Sequence, residues 1–149
     1  MSIYLKSVQF LNENSNSNKI INLIKTLDFN NIKPASIQDI ENAEKELGLK
    51  FSNEYKELLK KYGAIEYNGH EFTGLCVSKY KNVINSTKTN WDLNLIVPHN
   101  MYVIEDTHID GIVIWQDNNG IIYESRPEYK TIKKVALSLY DYIKNNIVV

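Results

Sequence analysis

Cys76, His70, His99 and His108 are the side chains of this 149-residue chain best suited to act as a nucleophile or as bases near neutral pH, with carboxylates supplying the other acid–base groups. Their order in the sequence forms no catalytic pattern. Cys76 lies between Leu75 and Val77, the setting of a small buried hydrophobe rather than of an activated thiol. His70 adjoins an Asn68-Gly69 pair, where a polar, exposed strand residue is ordinary. Asp106, His108 and Asp110 alternate around an expected hairpin tip and could place an imidazole and two carboxylates near one metal ion. No partner motif such as His-Glu-x-x-His accompanies them, and solvated turn residues account for the same letters. None of the 6 glycines forms a Gly-x-Gly-x-x-Gly or Walker-type run, so nucleotide binding has no support in the sequence. The expectation is no enzyme, no cofactor and no metal.

The elements that must position these residues are clearest between Ser36 and Leu75. Ser36-Ile37-Gln38-Asp39 reads as a capping box, and Ile37, Ile40, Ala43 or Glu44, and Leu47 recur at helical spacing up to Gly48. Ser52 caps a second helix with Glu54 in its first turn, an apolar stripe of Tyr55, Leu58, Leu59 and Tyr62, and Gly63 as its stop. Ala64 to Tyr67 and His70 to Phe72 then flank Asn68-Gly69, the pair preferred in type I′ hairpins because both turn residues need positive φ.

Elsewhere the signals are weaker. Residues 3 to 11 fit a short helix with Ile3 or Tyr4, Val8 and Leu11 on one face, and Asn12 to Asn18 reads as a loop or hinge. Ile20, Ile21, Ile24 and Leu27 give another helical stretch, and Ile32-Lys33-Pro34 leads extended into the capped helix. Tyr80, Val83, Ile84, Thr87 and Trp91 predict a helix over about 79 to 92. Met101 to Asp106, Gly111 to Gln116 and Gly120 to Ser125 predict an antiparallel meander. Ser138-Leu139-Tyr140-Asp141 starts a closing helix, with Thr131 a rival start; Leu139, Tyr142 or Ile143, and Ile147 dock it. The whole predicts one α+β domain over 1–149, a hairpin plus meander sheet packed against helices, with 1–32 an N-terminal helical extension.

Composition bounds the function classes. Hydrophobic content of 43% and a formal net charge of -1 describe a globular protein not poised for nonspecific attachment to nucleic acid. Of the 17 basic residues only Arg126 is an arginine, which limits bidentate recognition of phosphate or carboxylate. One cysteine excludes an internal disulfide, and no apolar run approaches the length of a membrane span or signal sequence, so a cytoplasmic location is expected. The charge is unevenly spread. Residues 64 to 128 hold nine acids against four bases, whereas 129 to 149 hold four bases against one acid. The acids are Glu66, Glu71, Asp92, Glu105, Asp106, Asp110, Asp117, Glu124 and Glu128, a bias that would repel nucleic acid and attract a basic protein surface, although solubilising charge on exposed strands explains the same pattern. The 10 tyrosines and 2 tryptophans include core candidates Tyr55, Tyr62 and Trp115 and interface candidates Tyr67, Tyr80, Trp91 and Tyr123.

Ala43 to Leu59 followed by Tyr62-Gly63 resembles the opening of the SMI1/KNR4 (SUKH) superfamily, which shows a Leu-Gly, a Leu-Pro pair, a Tyr and a Leu-Leu before an Asn-Gly or Tyr-Gly. Phe51-Ser52 stands where the family has Leu-Pro; proline at a first helical position and serine at a cap are alternative helix starts. Val103 to Asp106, Ile112 to Asp117, Gly120 to Tyr123 and Ala136 to Ile143 resemble the later strands and closing helix, in order. The match runs over roughly residues 33 to 149.

The resemblance implies a function that the residues alone do not: many bacterial members are immunity proteins that bind and neutralise a toxin, often a nuclease, made by the same cell. A cognate toxin is the expected partner, and Glu66, Tyr67, Glu71, Trp91, Asp92, Asp106, His108, Asp110 and Asp117 are the candidate binding residues. The alternative the resemblance offers is a regulatory or scaffolding adaptor. A hydrolase would need a cleft joining Cys76 to a histidine and a carboxylate.

Overall fold

Ser36 and Ser52 set the starts of two helices as their sequence context requires. The computed structural model describes residues 3–27, 30–31 and 33–148, with side chains for 15–27 and 33–148. Helix α2 (Ile37–Leu47) has the full capping box: Ser36 Oγ accepts from the Asp39 amide at 3.0 Å, and Asp39 Oδ2 accepts from the Ser36 amide at 3.0 Å. The bond from the Ser36 amide, and after it the Ser36 hydroxyl, hold the Asp39 carboxyl below its usual range. Helix α3 (Asn53–Tyr62) is capped by Ser52 and ends at Gly63, whose φ of 74° suits glycine. A Cβ there would also lie 1.7 Å from the Lys33 carbonyl oxygen, so the chain passes too close for any side chain.

The N-terminal helix departs from expectation. Where a short helix, an Asn/Ser loop and a second helix were expected, one helix α1 (Ile3–Thr26) runs through the tract. Ser17, Ile20 and Ile24 are all buried and lie at helical spacing, so the packed stripe extends back into the tract. α1 packs on α3 and, past it, on the closing helix, and that packing outweighs a helix-propensity cost of about 0.5 kcal/mol per Asn or Ser. The face assigned to Ile3 or Tyr4, Val8 and Leu11, and the extended lead at Ile32, lie outside the described residues.

The α+β architecture is as expected, but hairpin and meander form two sheets. In the first, β1 (Asn30–Asn31), β2 (Ile65–Tyr67) and β3 (His70–Glu71) are antiparallel neighbours, and Asn68 and Gly69 take the two positive φ angles of the turn, 52° and 84°. In the second, β4 (Tyr102–Asp106), β5 (Val113–Gln116), β6 (Ile122–Ser125) and β7 (Lys133–Ala136) form the meander. Thr131, the rival start for the closing helix, lies just before β7, so the chain after it is strand and the helix begins only after Ser138. Thr73 joins the sheets: its amide donates to the Ile104 carbonyl at 2.8 Å and its hydroxyl to the Val103 carbonyl at 2.7 Å.

Helix α4 (Val83–Leu93) starts four residues later than its apolar spacing predicts, because the Asn82 side chain caps it by accepting from the Ile84 amide; Tyr80 is left exposed in the preceding turn. Helix α5 (Leu139–Asn146) begins at Ser138, whose hydroxyl accepts from the Asp141 amide. The core gathers Tyr55, Tyr102, Trp115, Leu58, Leu59, Ile104 and Ile143, with the Phe51, Tyr55 and Tyr102 rings 4.7 to 5.2 Å apart. Among the described residues no helix is long and apolar enough to cross a membrane.

Candidate protein-binding face

The expected acidic surface is not one surface, because many of its carboxylates are spent inside the fold. Glu66 and Glu71 both pair with the Lys81 ammonium, which offsets one of their two charges. Tyr67 beside them is half-buried. Asp117 is buried in its own turn, where Oδ1 accepts from the amides of Asn119 and Ile121 at 3.0 Å each and Oδ2 accepts from the Tyr123 hydroxyl at 3.2 Å. Glu124 pairs with Arg126 at 3.0 Å. Trp91 is buried too, donating from Nε1 to the Met101 carbonyl at 3.1 Å and stacking on His99. Asp117 and Trp91 therefore act in folding and present no free group to a partner.

Glu105 is also internal. Its Oε2 lies 2.7 Å from His70 Nδ1 and its Oε1 accepts from the Tyr142 hydroxyl at 3.1 Å, clasping β3, β4 and α5 together. Burial, then the charge of Glu105, raises the Tyr142 phenol above its ordinary pKa. His70 is thus half-buried and engaged rather than simply exposed. Cys76 is the reverse case: it is exposed, with φ 60°, and its Sγ faces Asp39 Oδ2 at 3.8 Å. A bend between Gly74 and Lys81 turns the side chain out of the apolar run, so the thiol meets a carboxylate and no histidine. Among the described residues no three His, Cys, Asp or Glu side chains are grouped to hold a metal ion.

What remains is concentrated at one end of the meander. Asn90 on α4 donates from Nδ2 to Asp106 Oδ2 at 3.3 Å, and Asn94, one helical turn on, accepts from the Ser125 hydroxyl at 3.3 Å. Asp106 and Ser125 are the register partners of Val113 on either side. The C-terminal end of α4, the loop after it and the β4–β5 turn therefore sit together. The turn is tightly built: Asp106 Oδ1 accepts from the His108 amide at 3.1 Å, Thr107 Oγ1 donates to the Ile112 carbonyl at 2.8 Å, and His108, Asp110 and Gly111 have φ of 55°, 53° and 69°. Two non-glycine residues with positive φ in one turn are costly and hold its tip in a fixed shape. His108 and Asp110 project into solvent, and Asp92 is exposed on α4.

This end also exposes apolar side chains that the sequence reading missed. Leu93 is 74% exposed, Leu95 89%, Ile96 38% and Ile109 62%. Leu93 and Ile96 fall off the α4 stripe, whereas Leu95 continues it, four residues after Trp91, and is exposed because the helix ends at Leu93. Exposed apolar side chains and the carboxylates of Asp92, Asp106 and Asp110 thus share the end of the meander where α4 meets the β4–β5 turn, and a mixture of exposed apolar and charged side chains is what protein interfaces use.

Beneath it a polar network fixes the scaffold. Glu54 is buried at the start of α3 and accepts at Oε1 from the Leu139 amide at 2.7 Å and from Gln116 Nε2 at 3.1 Å, and at Oε2 from the Tyr140 amide at 2.9 Å. It thereby caps α5 across the fold. Burial pushes its carboxyl up to about 7 against the pull of those three donors. Gln116 Oε1 in turn accepts from Tyr102 at 2.7 Å and Ser52 at 3.0 Å. Ser52, the residue in place of the expected proline, is thus both a helix cap and a donor to the sheet.

A search of curated proteins finds no match to this chain. A family model of the SUKH group described as SMI1-KNR4 cell-wall matches residues 37–143, which takes in every element from α2 through most of α5. With its capped helix pair, hairpin, meander and closing helix in that order, the chain belongs to the SMI1/KNR4 (SUKH) superfamily.

Proposed function

We propose that this protein is an immunity protein: it binds a cognate bacterial toxin in the cytoplasm and neutralises it by covering it, without catalysis of its own. The observation that carries this reading is the exposure of four apolar side chains, Leu93, Leu95, Ile96 and Ile109, and of the carboxylates of Asp92 and Asp110 at the end of the meander where α4 reaches Asp106. Membership of the superfamily is consistent with such a role. A partner that fits the face has an apolar patch bordered by lysines or arginines. A nuclease domain meets that description, because its substrate site must hold phosphates.

The test is coexpression with the neighbouring gene product, scored for growth and for copurification. Rescue of growth with a stable complex is the expected outcome. Leu95→Asp places a charge at the centre of the face and should weaken the complex by about a hundredfold, the cost of losing one interface anchor, while leaving the thermal unfolding temperature unchanged. Full rescue by the Leu95→Asp protein with undiminished affinity would remove this face from the proposal.

A further inference from the structure

α1 and α3 pack side by side, and between them lies a cleft of about 940 Å3 whose lining includes Lys25, Lys56, Lys60 and Lys61 against the single acid Glu57. These four belong to a chain whose net charge is -1, so positive charge is gathered here from an acidic whole. Two of the ammonium groups are committed: Lys60 pairs with Glu57 at 3.0 Å, and Lys56 reaches Glu44 at 3.7 Å. Lys25 and Lys61 form no ion pair among the described residues, and both line the cleft, one from each helix. Contact with the Lys25 amine, then desolvation, holds Lys61 below its ordinary pKa. A like-charge contact across a concave surface is what a bound anion would relieve. Lys25 and Lys61 lie in the last turns of α1 and α3, so the attraction for an anion comes from the ammonium groups and not from a helix dipole.

We propose that this cleft binds a compact oligophosphate, free or as the phosphate tail of a nucleotide, between Lys25 and Lys61. The lining selects this chemistry. Lysine ammonium groups act as point charges toward phosphate, and no arginine is present to grip a carboxylate in two places. Ile21 is the only apolar residue of the lining and no aromatic ring is among it, so there is neither a pocket for a peptide side chain nor a platform for a stacked base. The volume falls within the range of small-molecule sites. The ligand would sit on helices α1 and α3, apart from the residues assigned above to toxin binding, and the two proposals stand or fall separately.

Calorimetric titration of the full chain with inorganic triphosphate, ATP and sulfate tests it. Saturable binding of triphosphate, weakening as salt is raised, is expected, with sulfate much weaker. ATP binding about as tightly as triphosphate is expected, because the lining offers no platform for a base, and ATP binding much more tightly would overturn the assignment to the phosphate chain. Lys25→Gln and Lys61→Gln should each weaken triphosphate on the order of tenfold, the cost of one charge-assisted hydrogen bond. Lys19→Gln, whose amine lies over the Tyr140 ring outside the cleft, should leave it unchanged. No saturable binding, sulfate equal to triphosphate, or equal loss in Lys19→Gln and Lys61→Gln would overturn the proposal.

Discussion

Glu54 and Asp110 are both carboxylates beside a helix or a turn, and the fold treats them in opposite ways. Glu54 is 3% exposed and both of its oxygens are taken up by donors from α5 and β5. Asp110 stands in solvent at the tip of a turn whose backbone is held in place by Asp106 and Thr107. One carboxylate assembles the scaffold, the other decorates it. The difference teaches that acidic residues in a sequence cannot be counted as surface until their donors are known. Of the nine acids between residues 64 and 128, Glu66, Glu71, Glu105, Asp117 and Glu124 are all engaged by partners within the protein.

The contrast is broken most forcefully at Glu54. Glu54→Ala strands the amides of Leu139 and Tyr140 and the Gln116 side-chain amide in a buried site, at a cost of about 4 kcal/mol. Urea unfolding followed by circular dichroism should show a midpoint lowered accordingly. An unchanged midpoint would mean that α5 is held by its apolar contacts alone and that the network is incidental.

The next effect is a pH dependence with a definite sign. The folded-state pKa of Glu54 is raised from 4.5 to about 7. Between those values the folded protein keeps a proton that the unfolded chain has released, so its contribution is fully present below pH 4.5 and is lost as pH rises toward 7. The loss is about 3 kcal/mol across the window. Glu54→Gln removes this titration, and the difference between wild-type and variant stability curves should isolate it from every other group. A wild-type curve parallel to that of Glu54→Gln would show that the three donors outweigh burial and keep Glu54 ionised.

The same distinction explains what the sequence could and could not foretell. Ser36, Ser52, Gly48, Gly63 and Asn68-Gly69 act through neighbours within a few residues, so the α2–α3 pair and the hairpin are readable from local letters. The Asn/Ser tract is not: whether it bends or stays helical depends on Ser17, Ile20 and Ile24 meeting α3 and α5, which are distant in the chain. Cys76 has apolar neighbours in sequence but turns outward because a positive φ reverses the alternation there. Glu54 and Glu105 find their partners across 85 and 37 residues, separations over which spacing carries no signal. The exposed Leu93 and Ile96 are apolar residues out of period with the α4 stripe, a feature as informative as the stripe itself, whereas Leu95 is in period and is exposed only because the helix stops at Leu93.

Charge reversal gives the smallest and sharpest test of the comparison. Asp110→Lys changes an exposed side chain that accepts no hydrogen bond from a neighbouring element, so stability should stay within about 0.5 kcal/mol of wild type. Against a basic toxin, stopped-flow association should slow by about tenfold, with a weaker salt dependence, because the steering field is reduced while the docked contacts persist. Asp117→Lys makes the same change in charge at a site where Asn119, Ile121 and Tyr123 all donate to the carboxylate. It should lower stability first, and slow association only as far as the fold is lost. If the two substitutions slow association equally at matched folded concentrations, then net charge alone governs encounter and the end of the meander has no special part in it.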